Sequence, residues 1–302
     1  MYTSKQTSSS SVPKARKLVK IILIVSAAIS VLLVGLLLAY TYNNASLTSN
    51  QTFAHKLDIA IEKAHNWVKI HQQEILKEGN IALIRMLQDI GTMQPDPLYR
   101  DTVDSFMTRP ARPDCWKRLI DPNRPLMSSE LNQTITQEYI DNKWTLYAIA
   151  PESANVTPEE LKLFEPDYWH DRKLNHQLWA LLHLRRTQSS AEKLNIIIEH
   201  LCERISKSQR SDIAVVDIYI QKAAFVLKAG FPQKVRRRWL ERIIANQQPD
   251  GGWNDKWFIF TSGKKPTFGL SRPISNQHAT VQALWALYQA KYRYACEFGL
   301  HP

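Results

Sequence analysis

Three cysteines in 302 residues are too few for a disulfide framework. Nine glycines without a triplet period exclude a collagen-like chain. Acidic residues are missing from the whole N-terminal part, and the first is Asp58. No His, Cys, Asp or Glu group has the spacing of a zinc site: Cys296 and His301 lack a third ligand. No metal and no cofactor are expected. What is present is a foldable chain, with 44% hydrophobic and 22% charged residues, which excludes disorder.

The formal net charge is +11, from 39 basic and 28 acidic residues. Lys5, Lys14, Arg16, Lys17 and Lys20 sit in the Ser-rich segment 1–20. Without them the excess is modest and gives no nucleic-acid signature. Ile21 to Tyr42 then carries no charge over 22 residues, enough to cross a bilayer core as a helix. The next basic residue is Lys56, so the positive-inside bias leaves the N-terminus in the cytoplasm. The expected layout is a basic cytoplasmic tail (1–20), a signal-anchor helix (21–42) in an inner or plasma membrane, a linker (43–52) and an exported domain (53–302). A cleaved signal would have a shorter apolar run. The exported cysteines, Cys115, Cys202 and Cys296, are odd in number, so at least one is not paired within the chain. Asn44, Asn50, Asn132 and Asn155 begin Asn-x-Ser/Thr triplets.

The exported part reads as helical hairpins. Leu57, Ile61, Ala64, Val68 and Ile75 share one face of a helix over Phe53–Glu78, which Gly79 stops. Asn80 caps a second helix, Ile81–Ile90, expected to pack antiparallel on the first. Segment 92–129 is Pro-rich, with a short helix at Leu98–Met107. Its cluster of Arg109, Arg112, Trp116, Lys117 and Arg118 suits a rim over a groove. Further helices are expected at Ile135–Ala150, after the Thr157-Pro158-Glu159-Glu160 start signal, at Asp171–Thr187, Ser190–Ser208 and Asp212–Ala229, from Pro232 to Asn246, and at Ser275–Phe298. Trp257–Phe260 is the one candidate strand. Lys234, Arg236, Arg237 and Arg238 read as a solvated helix face. A weak repeat aligns Leu178-Trp179-Ala180-Leu181 with Leu284-Trp285-Ala286-Leu287. It makes His176, Gln221 and Gln282 equivalent.

One motif stands out, Gln247-Gln248-Pro249-Asp250-Gly251-Gly252-Trp253. Pro249 cannot continue a helix, Asp250 bonds its own turn, and the glycines supply dihedrals that a Cβ resists. Gln247 can satisfy helix-end carbonyls while Trp253 packs beneath. The motif resembles the Gln-x-x-Asp-Gly-Gly-Trp repeat of the terpene cyclase and prenyltransferase superfamily, well over 211–298 and weakly over 171–208. The resemblance implies an all-α fold, an α/α toroid around a central cavity. It does not carry over the activity, because the Asp-x-Asp-Asp acid cluster and the zinc ligands of those families are missing here.

Toroids also serve polysaccharide lyases and hydrolases, which need an acid, a base and a lined groove. The acid–base candidates are His278, Asn276, His176, Asp217 and Tyr219, and the ligand-lining candidates are Trp253, Trp285, Gln282 and Arg272. None has a defining spacing, and each also suits a structural role. Two functions follow. One is a module that binds a glycan, an isoprenoid lipid or a protein partner. The other is a carbohydrate- or lipid-active enzyme that uses His278.

Overall fold

The computed structural model describes residues 12–110, 114–126, 149–150, 171–186, 191–212, 214–254 and 274–300. Those residues are helical throughout apart from turns and a single two-residue bridge. α1 (Val12–Asn44) leads. From Val19 it is long and apolar enough to cross a membrane, and its most apolar stretch is unburied.

Four helices follow: α2 (Asn50–Ile70), α3 (Gln72–Glu78), α4 (Ile81–Met93) and α5 (Pro97–Thr108). Their boundaries obey local chemistry. The Asn80 side chain caps α4 through the Ala82 amide at 3.1 Å. Asp96 caps α5 through Leu98 at 2.8 Å, with Pro97 in the first turn. Gly79 ends α3 in the left-handed region, φ +67°. The single helix expected over Phe53–Glu78 is broken at His71, whose ring stacks on Trp67 and bonds Glu74. α4 packs on α5 and on the last helix, rather than on the helix before it.

The second half comprises α6 (Asp171–Arg185), α7 (Ala191–Gln209), α8 (Asp217–Ala229), α9 (Arg237–Ala245) and α10 (Gln277–Tyr288). α10 is buried from Ala279 to Tyr288, with α2, α4, α8 and α9 around it. A helix apolar on all sides belongs in the middle of a core. α6, α8 and α10 run parallel. Asn175 meets Gln221 near the starts of α6 and α8, and Arg185 reaches the Ala229 carbonyl at their ends. Asp217 meets His278 at the starts of α8 and α10, and Gln289 bonds the Ala224 carbonyl further along. α7 and α9 return antiparallel, since their C-terminal residues Gln209 and Arg242 lie beside Tyr219 near the start of α8.

The end of α1 is built into this domain. Arg238 Nε donates to the Tyr42 carbonyl at 2.8 Å and Arg236 to the Asn44 carbonyl at 3.4 Å, which places cations on the negative end of the helix dipole. Both Arg238 and Arg242 lie over the Tyr42 ring. Asn43, 2% exposed, donates to the Gln209 carbonyl, and its oxygen accepts from the Tyr219 hydroxyl and from Arg242. Glu241 accepts from Ser46, Thr48 and the Leu47 amide. Burial pushes the Glu241 carboxyl up, but those donors and Arg238 outweigh it and hold the group below its ordinary range. The basic run is therefore not the solvated helix face expected: Lys234, Arg236 and Arg237 are partly buried, Arg238 is buried, and Arg236 and Arg238 clamp the end of α1.

That clamp explains two shifted boundaries. The helix expected from Pro232 splits into a 3-10 turn, Pro232–Lys234, and α9, because Val235 and Arg236 stay extended while Arg236 reaches α1. α8 starts at Asp217 and not at Asp212, whose carboxylate pairs with buried Lys222 at 2.8 Å and whose carbonyl accepts from Arg242. The last helix ends at Tyr288 and passes into a π-turn, Gln289–Arg293, and a 3-10 turn, Cys296–Phe298. Part of the Pro-rich segment folds onto the core: Cys115 and Leu119 are buried, and Lys117 Nζ donates to the carbonyls of Met107 and Arg109 at the end of α5. Most of the Ile135–Ala150 helix, the Thr157 start signal, Arg112, the Trp257–Phe260 strand, Arg272 and His301 lie outside the described residues.

Candidate functional site

An aromatic cluster joins α6, α8 and α10. Trp179, Phe225 and Trp285 meet there edge to face, at centroid distances of 5.4, 5.6 and 6.5 Å. Each such pair adds about 0.5–1.5 kcal/mol beyond its buried area. Trp179 and Trp285 hold the positions the repeat made equivalent, while α8 supplies Phe225, one residue after its counterpart Ala224. The cluster separates two polar mouths, one at the helix starts and one at the helix ends.

The mouth at the helix starts brings together three of the residues singled out from sequence, His278, Asp217 and Gln282. His278 Nδ1 lies 2.9 Å from Asp217 Oδ1, with both side chains partly exposed. Gln282 Nε2 lies 3.0 Å from His278 Nε2. Gln221 steadies the other Asp217 oxygen at 3.0 Å and accepts from Asn175 at 3.3 Å. Five residues on three helices thus form one polar network. Gln282 Oε1 and Asn175 Oδ1 are buried and accept no hydrogen bond among the described residues. His176 sits half-buried on α6, beside this network in sequence.

Other candidates lie elsewhere. Asn276 is the N-cap of α10, its side chain committed to the Ala279 amide at 2.8 Å. Tyr219 is fully buried where the end of α1 docks, and burial raises its pKa above the ordinary phenol range. Trp253 is 1% exposed and donates to the Ile243 carbonyl at 2.7 Å. The motif around it joins three helices. Gln247 donates to the Ala60 carbonyl, Asp250 accepts from Trp67 and Ser275, and Thr280 holds the Trp253 amide. Gly251 has φ +94°, and a Cβ there would stand 2.5 Å from the Lys63 carbonyl.

The opposite mouth was not foreseen. Asp89, 6% exposed, accepts from Lys228 Nζ at 2.5 Å, Arg293 Nη2 at 2.9 Å and Trp285 Nε1 at 2.7 Å. Arg85, His183 and Arg186 complete the wall of a cavity of about 20 Å³. Burial and like-charge neighbours lower His183 well below its ordinary range, so it is neutral. Burial, with Arg186 and Arg293 adding to it, pushes Arg85 down to about 10. Lys228 falls to about 8, because burial outweighs the opposing pull of Asp89. The sequence did hold a signal: Asp89 falls among Leu83, Ile84, Met86, Leu87 and Ile90 on the buried side of α4, where a carboxylate demands cations.

A groove of about 400 Å³ also opens between α4 and α5, lined by Leu87, Gly91, Pro95, Pro97, Tyr99 and Val103 among others. Compared with known proteins, the chain matches no family model, no curated protein and no solved structure. The toroid resemblance therefore rests on the Gln247–Trp253 motif. Among the described residues no three His, Cys, Asp or Glu side chains converge as metal ligands.

Proposed function

We propose that this chain is a single-pass, membrane-anchored binding module, with its N-terminus in the cytoplasm and its helical domain outside an inner or plasma membrane. The observation that carries this reading is the clamp of Arg236, Arg238 and Arg242 on Tyr42, Asn43 and Asn44. Residues at the end of the apolar helix take part in the domain's packing, which favours a retained anchor over a cleaved signal. The orientation is supported by the five basic residues before the span and none after it until Lys56. The parallel α6, α8 and α10, with α7 and α9 returning, support a toroid-like array. Binding is the favoured role because the interior is plugged by aromatics while two buried amide oxygens, Gln282 Oε1 and Asn175 Oδ1, can accept from a donor-rich ligand such as a glycan. A protein or isoprenoid partner would instead use the apolar groove beside α5.

The His278–Asp217 contact favours a second reading, an enzyme in which Asp217 orients His278 as a general base for water or a hydroxyl. Two experiments test the proposal. Exposed Cys296 reports topology, since Cys115 and Cys202 are buried. A membrane-impermeant maleimide is expected to label Cys296 in intact cells, and labelling only after permeabilisation would contradict export. A photoactivatable residue at position 100 on the groove rim, or at 278, is expected to capture a discrete adduct, with none from exposed position 74. Adducts from all three positions alike, or from none, would count against a binding module.

A further inference from the structure

The mouth at the helix ends carries an imbalance of charge. Lys228 and Arg293 pair with Asp89, and Arg85 and Arg186 line the same cavity, so four cations from four separate stretches of chain meet here. With Asp89 ionised the cluster stands at about +3, taking one charge per group. Cations crowded in partly buried surroundings repel one another, and a cluster of this kind is stable when an anion supplies the missing charge. Arg186 is exposed and Lys228 and Arg293 are 23% and 30% exposed, so the cluster opens to solvent on one side. Neutral His183, 3.4 Å from Arg186, adds a ring nitrogen to the wall, and Trp179 forms an apolar side.

We propose that this mouth binds the phosphate group of a phosphomonoester or of inorganic phosphate. Charge selects the ligand: a phosphate of about −2 brings +3 down to about +1, whereas a carboxylate leaves about +2. Shape agrees, because guanidinium forks on Arg85 and Arg186 suit bidentate contact with phosphate oxygens. The enclosed space of about 20 Å³ admits one water-sized group. The phosphate caps the opening with one oxygen directed inward. Asp89 sits behind the cations and holds Lys228 and Arg293 at spacing for the anion. The site lies about 14 Å along α8 from Tyr219, where the anchor docks, taking 1.5 Å for each of the nine residues to Lys228. This inference extends the binding-module reading by naming a ligand class. Its test uses purified protein, so it stands or falls apart from topology.

The full chain in nanodiscs of neutral phosphocholine lipid is melted against inorganic phosphate, with sodium chloride at equal ionic strength as control. The expected result is a saturable rise in Tm with phosphate and none with chloride. Arg186→Gln and Arg85→Gln are each expected to weaken the apparent affinity about 10- to 100-fold, the worth of one charge-assisted hydrogen bond. Lys77→Gln, on an exposed side chain outside both the mouth and the groove, should leave it unchanged. Two variants at separate positions guard against one that fails to fold. A parallel set of nanodiscs contains phosphatidic acid. A response to free phosphate supports a soluble ligand. A rise in Tm with phosphatidic acid alone, lost in both arginine variants, supports a headgroup carrying the same chemistry. No response to either, or a response that both arginine variants retain in full, overturns the proposal.

Discussion

Replacing Asp89 by Asn tests whether one carboxylate holds α4, α8 and the end of α10 together. Asn keeps the shape and leaves an oxygen for the Trp285 indole, but removes the charge that faces Lys228 and Arg293. Breaking a buried ion pair from one side costs about 3–5 kcal/mol. The two cations are partly exposed, so solvent screens them and the lower end, about 3 kcal/mol, applies. For a domain of this size that lowers Tm by about 6–12 °C. The assay is thermal and urea unfolding of the full chain in neutral nanodiscs. The Lys228→Met, Asp89→Asn double variant removes both partners, and its cost should fall below the sum of the single costs by at least about 1 kcal/mol. The sign of the pH effect is also set. Lys228 titrates at about 8 in the fold and near 10.5 when unfolded, so the unfolded chain binds the extra proton between those values. The contribution of this group therefore rises with pH across that window and is least favourable below pH 8. Asp89→Asn should push the folded value lower still. An Asn variant within about 0.5 kcal/mol of the parent, or additive double-variant costs, would refute the reasoning.

Three further outcomes are expected. Glu241 titrates below its ordinary 4.5, so its contribution is complete above that pH and is lost as pH falls through the lower folded value; Glu241→Gln should flatten the acid limb of the stability curve. Gly251→Ala should cost about 2 kcal/mol or more in urea unfolding, because φ +94° is strained for alanine and its Cβ meets the Lys63 carbonyl. His278→Ala should move Tm by no more than a few degrees, since the pair with Asp217 is partly exposed; a large loss of stability would make His278 structural and remove it from both functional readings.

Short-range chemistry was legible and long-range pairing was not. The caps at Asn80, the stops at Gly79 and Gly230, and the turn at Gln247–Trp253 depend on neighbours in sequence, and each appears as local rules predict. The break at His71, the late start of α8 and the split before α9 each follow side-chain partners that periodicity does not weigh. Arg236 and Arg238 read as part of a solvated helix face until Asn44 and Tyr42, nearly 200 residues away, are placed against them. At the candidate site, His278, Gln282 and Asp217 were singled out by residue type, and the fold brings them together. Tyr219 and Asn276 were singled out the same way, but are held by Asn43 and by the α10 cap. The cationic mouth escaped notice because Arg85, Arg186, Lys228 and Arg293 are scattered, and only Asp89 on an apolar face hinted at it.

The central claim is that the end of the apolar helix α1 is part of the domain's fold and not a tether. It is tested most directly by comparing the Tm of the full chain in neutral nanodiscs with that of a fragment beginning at Thr48. The fragment lacks Asn43, which leaves Arg242, the Tyr219 hydroxyl and the Gln209 carbonyl buried without that partner. At about 1–3 kcal/mol for each buried group left unsatisfied, the fragment is expected to melt at least about 6 °C lower. A fragment that melts with the full chain would contradict the account.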